Sequence, residues 1–212
     1  MNDLRVFGIG LNKTGTTSLK LAFEKLGLRH FPRSPRAFRL YRQERWDKLF
    51  DLIEPFQSFE DWPWPLMVPK LLDHYGDSAL FVMTRRRSAE AWLESLKAHT
   101  LKTAPENNPR LKIFGYDYPH GAEQQHLDFY ESHLTETRAL FADRPNQMCE
   151  LCWEEGDGWR ELCKFLDMRK PWGAFPHANR GVRANIPPER LADNKAAIAA
   201  QLARLARDDS SG

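Results

Sequence analysis

The sequence has little cysteine, no surplus of one charge and no long apolar run, and each shortage removes a class of protein. Three thiols, Cys149, Cys152 and Cys163, are an odd number in a chain large enough to fold without cross-links, which argues against a disulfide framework. Lys and Arg total 31 against 29 Asp and Glu, a net charge of +2, whereas a nucleic-acid coat or a polybasic membrane protein needs a sustained excess of one sign. Nothing approaches the ~18 consecutive apolar residues of a membrane span. The start, Met1-Asn2-Asp3-Leu4-Arg5-Val6-Phe7-Gly8-Ile9-Gly10, lacks a basic leader and runs into a polar turn rather than a cleavage site, so it reads as the first strand of a cytoplasmic protein.

What is present is core material. Seven Trp and 13 Phe outweigh the disordering tendency of 14 Pro, and a chain this long buries about 70% of the surface its unfolded form exposes. Strand patterns alternate with helix patterns, which predicts an α/β domain with a small parallel sheet between helices. Residues 4–9 read as a strand and 16–26 as a helix closed by Gly27. Residues 79–84 are an apolar run of strand length, followed by a helix over 89–99. A long amphipathic helix over 121–141, a strand over 148–153, a helix over 159–166 and an Ala-rich helix over 187–207 complete the series. No linker separates two cores, so one domain over residues 1–212 is expected. The connection 103–120 is long for an ordinary loop and suggests a lid or binding segment. Cys149 and Cys152 form a nominal CxxC, half a zinc site or a redox pair. On a strand, however, positions three apart face opposite sides and cannot share one ion, which leaves them as small core residues.

The strongest chemical signal is Gly8-Ile9-Gly10-Leu11-Asn12-Lys13-Thr14-Gly15-Thr16-Thr17-Ser18, a Gly- and hydroxyl-rich turn between a strand and a helix with one lysine at its crest. Backbone N–H groups, the helix dipole, hydroxyls and an ammonium there converge on an anion. It is not a Walker A loop, because Asn12 precedes the lysine and Gly15 comes two residues after it. The segment Lys13-Thr14-Gly15-Thr16-Thr17-Ser18-Leu19 resembles the 5′-phosphosulfate loop of PAPS-dependent sulfotransferases, a P-loop-like branch of α/β folds. The resemblance implies that Lys13 stabilises the bridging oxygen as PAP departs and that Thr14, Gly15, Thr16, Thr17 and Ser18 cradle the 5′-phosphate.

A second motif supports the same family. The apolar strand ends in Arg85-Arg86-Arg87, with Ser95 eight residues beyond Arg87. In sulfotransferases an arginine at a strand end and a serine at that spacing bind the nucleotide's 3′-phosphate, which an arginine fork and a hydroxyl suit chemically. The spacing selects Arg87 and Ser95, and a one-residue shift of the strand selects Arg86 instead. A divergent branch of the family also resembles this chain in the order Asp61-Trp62-Pro63, strand, Arg87, Trp92 and Phe175-Pro176-His177-Ala178-Asn179. The stretch Arg180-Gly181-Val182-Arg183 is similar to a C-terminal basic phosphate loop of the family.

Sulfuryl transfer needs a base for the acceptor proton. Asp61 and Glu60 lie in a rigid aromatic and proline segment where desolvation raises a carboxyl pKa. His30, just beyond the first helix, is a third contender. The expected activity is transfer of a sulfuryl group from PAPS to a hydroxyl or amine of a small molecule, saccharide or peptide, with no metal, nucleic acid or membrane partner. The aromatic segments 59–65 and 114–119 are candidate walls of an acceptor pocket. Two alternatives stand beside it. One is a P-loop nucleotide kinase, which commonly places an aspartate for Mg²⁺ where this strand has three cations. The other is a non-catalytic nucleotide-binding or scaffold protein on the same fold. Finally, Arg29, Arg33, Arg36, Arg39, Arg42 and Arg45 recur with only Glu44 among them, either an electropositive rim that attracts an anion or a solvated helix face.

Overall fold

The computed structural model describes residues 4–178 and 186–209. Asn179 and the basic stretch 180–183 singled out above lie outside the described residues. Four strands, β1 (Arg5–Gly8), β2 (Ser58–Phe59), β3 (Ala79–Thr84) and β4 (Met148–Leu151), pair in parallel in the order β2-β1-β3-β4. Such a sheet is covered on both faces, so its strands are apolar at nearly every position instead of alternating.

The pleat sends neighbouring residues to different covers. Val6, Val82 and Leu151 face helices α1 (Thr16–Lys25) and α8 (Trp159–Phe165), where they pack with Leu19, Ala22, Phe23, Leu162 and Cys163. Phe7, Phe59 and Phe81 form the opposite face. Phe7 stacks on Phe59 at 4.5 Å and lies 5.8 Å from Phe81, which meets Phe141 at 4.9 Å. Trp64 and Tyr75, the last residue of α4 (Val68–Tyr75), close over Phe7. Each of the buried rings of Phe7, Phe59, Phe81 and Trp64 contributes about 1.5–3 kcal/mol through burial. Phe59 and Trp64 are therefore core residues and not walls of an acceptor pocket, which corrects the expectation for these two positions of the 59–65 segment. Pairing of β2 with β1 at Phe7–Phe59 puts the ring into the sheet's interior.

The strand, turn and helix pattern that frames the domain is observed. Strand β4 is shorter than the expected 148–153. It stops at Leu151 because the Cys152 N–H is taken by Asp157 Oδ2 at 2.7 Å, and residues Trp153–Glu155 turn into a short 3-10 helix. Helices α2 (Pro35–Arg42) and α3 (Trp46–Ile53) precede β2. α2 starts where Ser34 caps the Ala37 N–H at 3.3 Å with Pro35 at the first turn; its arginines 36, 39 and 42 are exposed.

The chain divides into two compact units, residues 1–87 with 136–180 and residues 88–135 with 181–212. The first holds the sheet. The second holds α5 (Ala89–Thr100), α6 (Arg110–Phe114), most of α7 (Glu123–Leu140) and α9 (Pro188–Asp209). Its core includes Trp92 stacked on Tyr130 at 4.8 Å. The long 103–120 connection is anchored there. Arg110 is buried against the Tyr118 ring, the Tyr118 hydroxyl donates to Asn194 Oδ1 at 2.8 Å, and the Gln201 amide donates to the carbonyls of Tyr118 and His120, each at 2.8 Å. No helix among the described residues is long and apolar enough to cross a membrane.

Candidate active site

All candidate residues of the first unit except His30 leave the carboxyl ends of strands or lie at the start of α1. The order β2-β1-β3-β4 reverses direction at β1, so the crevice between the ends of β1 and β3 is the topological switch point where open α/β sheets bind ligands.

The β1 exit, residues 9–15, is held tightly. A Cβ on Gly10 would collide with the backbone of Thr84, so only glycine lets the two strand ends approach. Thr14 is buried; its hydroxyl donates to the Leu11 carbonyl and lies 2.6 Å from Thr84 Oγ1. That hydroxyl ties the loop to β3 and is not aimed outward as a phosphate ligand. Lys13 (φ 70°) and Gly15 (φ 96°) are left-handed, and α1 begins after Gly15 with no side-chain cap on its first N–H groups. The helix N-terminus thus keeps its positive dipole end and amides available to an anion. Thr17 is exposed there. Ser18 is buried, its Oγ accepting from the Ala178 N–H at 3.0 Å, and Thr16 hydrogen-bonds with the Glu60 carboxylate.

The β2 exit carries the carboxylates. Burial, then the neighbouring Asp61 charge, push the Glu60 carboxyl up to about 7. Burial also raises Asp61, against the Trp62 backbone N–H and the charges of Arg33 and Lys13, which draw it down. Asp61 is therefore within the electrostatic field of the loop lysine. His30 bridges to β2 beside Ser58, with Nδ1 3.0 Å from Ser58 Oγ and Nε2 3.9 Å from Glu60 Oε1. Burial lowers His30 to about 4, so the imidazole is neutral near pH 7 and the 3.9 Å approach is not an ion pair there. Glu60 and His30 thus form a buried pair, whose carboxylate feels the charge of Asp61.

The β3 exit meets acids that sequence reasoning missed. Arg85 Nε donates to Glu150 Oε1 at 2.6 Å and its terminal nitrogens to Glu155 at 2.9 and 2.6 Å, while Arg138 shares Glu150. Arg86 Nε donates to the Lys13 carbonyl at 2.8 Å and NH1 to Glu154 Oε1. Arg87 donates its backbone N–H to Glu154 Oε2 at 2.9 Å, with its Nε 3.7 Å away and its side chain 69% exposed. The triplet is thus matched by carboxylates from β4 and its exit rather than being a bare cationic cluster. Nothing local signals this, since Arg86 and Glu154 lie 68 residues apart in sequence. Trp153, next to Glu154, covers Gly15 and donates Nε1 to its carbonyl at 3.3 Å. Ser95 belongs to the second unit, half-buried on α5.

Cys149 and Cys152 are free, and burial pushes the Cys149 thiol up to about 11, away from redox reactivity. Among the described residues no cluster of three or more His, Cys, Asp or Glu is arranged to hold a metal ion.

The fold and these strand exits define an α/β protein with a Lys13-bearing strand–loop–helix at the switch point of a parallel sheet. The family model of the sulfotransferase domain matches residues 5–116 and 111–184, and the chain belongs to that family. A relative from Aspergillus versicolor, "Ava biosynthesis cluster protein M", is 25% identical over 214 residues, covering 82% of this chain and 80% of the relative.

Proposed function

We propose that the protein transfers a sulfuryl group from PAPS to a hydroxyl or amine of a small-molecule acceptor, with no metal. The observation that carries the reading is the left-handed Lys13 at the crest of an uncapped helix N-terminus with the Asp61 carboxylate in its field. Membership of the family supports the donor class. The donor set suits the ligand, because amides, a lysine and an exposed arginine favour a polyanion.

In this assignment the amides at the start of α1 hold the 5′-phosphosulfate, and Lys13 neutralises the charge that builds on the bridging phosphate oxygen. Thr17 completes the cradle, while Thr14, Thr16 and Ser18 shape it through the contacts above. Arg87 takes the 3′-phosphate, since Arg86 is committed to the Lys13 carbonyl and Glu154. The acceptor oxygen or nitrogen attacks sulfur in line, the bond from sulfur to the bridging oxygen breaks, and the acceptor proton passes to Asp61.

Titration calorimetry tests the donor. PAP is expected to bind at least tenfold tighter than adenosine, about 1.4 kcal/mol or more. Equal affinity for the two would refute the assignment.

A further inference from the structure

The charge pattern at the β3 exit is uneven. Arg85 is fully occupied by Glu150 and Glu155, and Arg86 is held at both ends by the Lys13 carbonyl and Glu154. Arg87 alone of the three has a mostly exposed guanidinium, whose Nε stands 3.7 Å from Glu154 Oε2, beyond hydrogen-bond length. Glu154 itself is fixed. One oxygen accepts from Arg86 NH1 and the other from the Arg87 backbone N–H, so it has little freedom to withdraw when a second anion arrives.

We propose that Glu154 is a built-in counter-ion of the 3′-phosphate subsite, which weakens the hold of Arg87 on that phosphate so that the product nucleotide leaves. The proposal rests on the sulfotransferase reading. An arginine with no fixed acid beside it would bind a doubly charged phosphate tightly and release it slowly, because affinity differences of this kind lie mostly in dissociation. PAPS and PAP carry the same 3′-phosphate. Glu154 therefore weakens substrate and product alike and leaves the chemical step unchanged; what it accelerates is release.

The test is titration and stopped-flow dissociation of PAP and of AMP, which lacks the 3′-phosphate, on Glu154→Gln. That substitution keeps the size and an acceptor for the Arg87 N–H while removing the charge. PAP is expected to bind about fivefold tighter and dissociate correspondingly more slowly, with AMP unchanged. Glu155→Gln, which removes a carboxylate from Arg85, should leave both ligands as in wild type, and Glu154→Asp, which keeps the charge, should restore the wild-type ratio of PAP to AMP affinity. Glu154→Ala makes the same charge change and replaces the Gln variant if that does not fold. Unchanged PAP binding, or a parallel change in PAP and AMP, would overturn the proposal, the latter showing that Glu154 only braces the Lys13 loop through Arg86. Wild-type protein that binds PAP no better than AMP would instead refute the donor reading, before any variant is made.

Discussion

At the scale of single residues the site is defined by groups whose ionisation the fold has moved. Glu60 sits at about 7 instead of 4.5, through burial first and the Asp61 charge second. A raised carboxyl pKa means that the folded protein holds the proton more tightly than the unfolded chain. Charging Glu60 therefore costs no stability below pH 4.5, a growing amount between 4.5 and 7, and the full amount above. Glu60→Gln is expected to be more stable than wild type at pH 8 by up to about 3 kcal/mol, with the gap closing toward pH 4.5. Urea unfolding at pH 5, 6.5 and 8 measures it, and a gap independent of pH would show that Glu60 titrates normally. His30 moves the opposite way, to about 4, through burial and the Lys20 charge. The sequence shows these residue types next to aromatic and proline residues but not their depth. Depth is set when His30 bridges to Ser58, a residue 28 positions away.

At the scale of elements, long periodic segments were legible and short ones were not. The strand over 79–84 and the helices after it follow from apolar runs and caps: Ser88 Oγ accepts from the Ala91 N–H at 3.2 Å to start α5. Ser88→Ala is expected to cost about 1 kcal/mol, read as a lowered urea midpoint with an unchanged slope. A midpoint equal to wild type would show that the cap contributes nothing. By contrast β2 is two residues long, too short for any period, and exists because β1 offers it an edge. The end of β4 was missed for a similar reason. Cys152 looks like continued strand until Asp157, five residues on, takes its N–H.

At the scale of the whole molecule, parallel topology collects residues from the ends of four strands. Lys13, Asp61, Arg87 and Glu154 are dispersed over the sequence and share one property, a position just past a strand's carboxyl end. A ligand that engages such a set stabilises the folded chain by mass action. PAP at 100 times its dissociation constant should add about 2.7 kcal/mol and raise the melting temperature, whereas ATP with Mg²⁺ should give no such shift. Thermal melts with the two nucleotides measure this, and the reverse order would favour a triphosphate enzyme. By itself the sequence determined the fold class, the Gly- and hydroxyl-rich loop with Lys13 between a strand and a helix, and the strand ending in arginines, because each is carried by adjacent residues whose spacing is a local property. Only the tertiary structure decided that Thr14 braces the loop, that Phe59 and Trp64 are core, and that Glu150, Glu154 and Glu155 answer the three arginines. Those outcomes depend on which strand lies beside which, and charge balance and burial are summed over neighbours in space rather than along the chain.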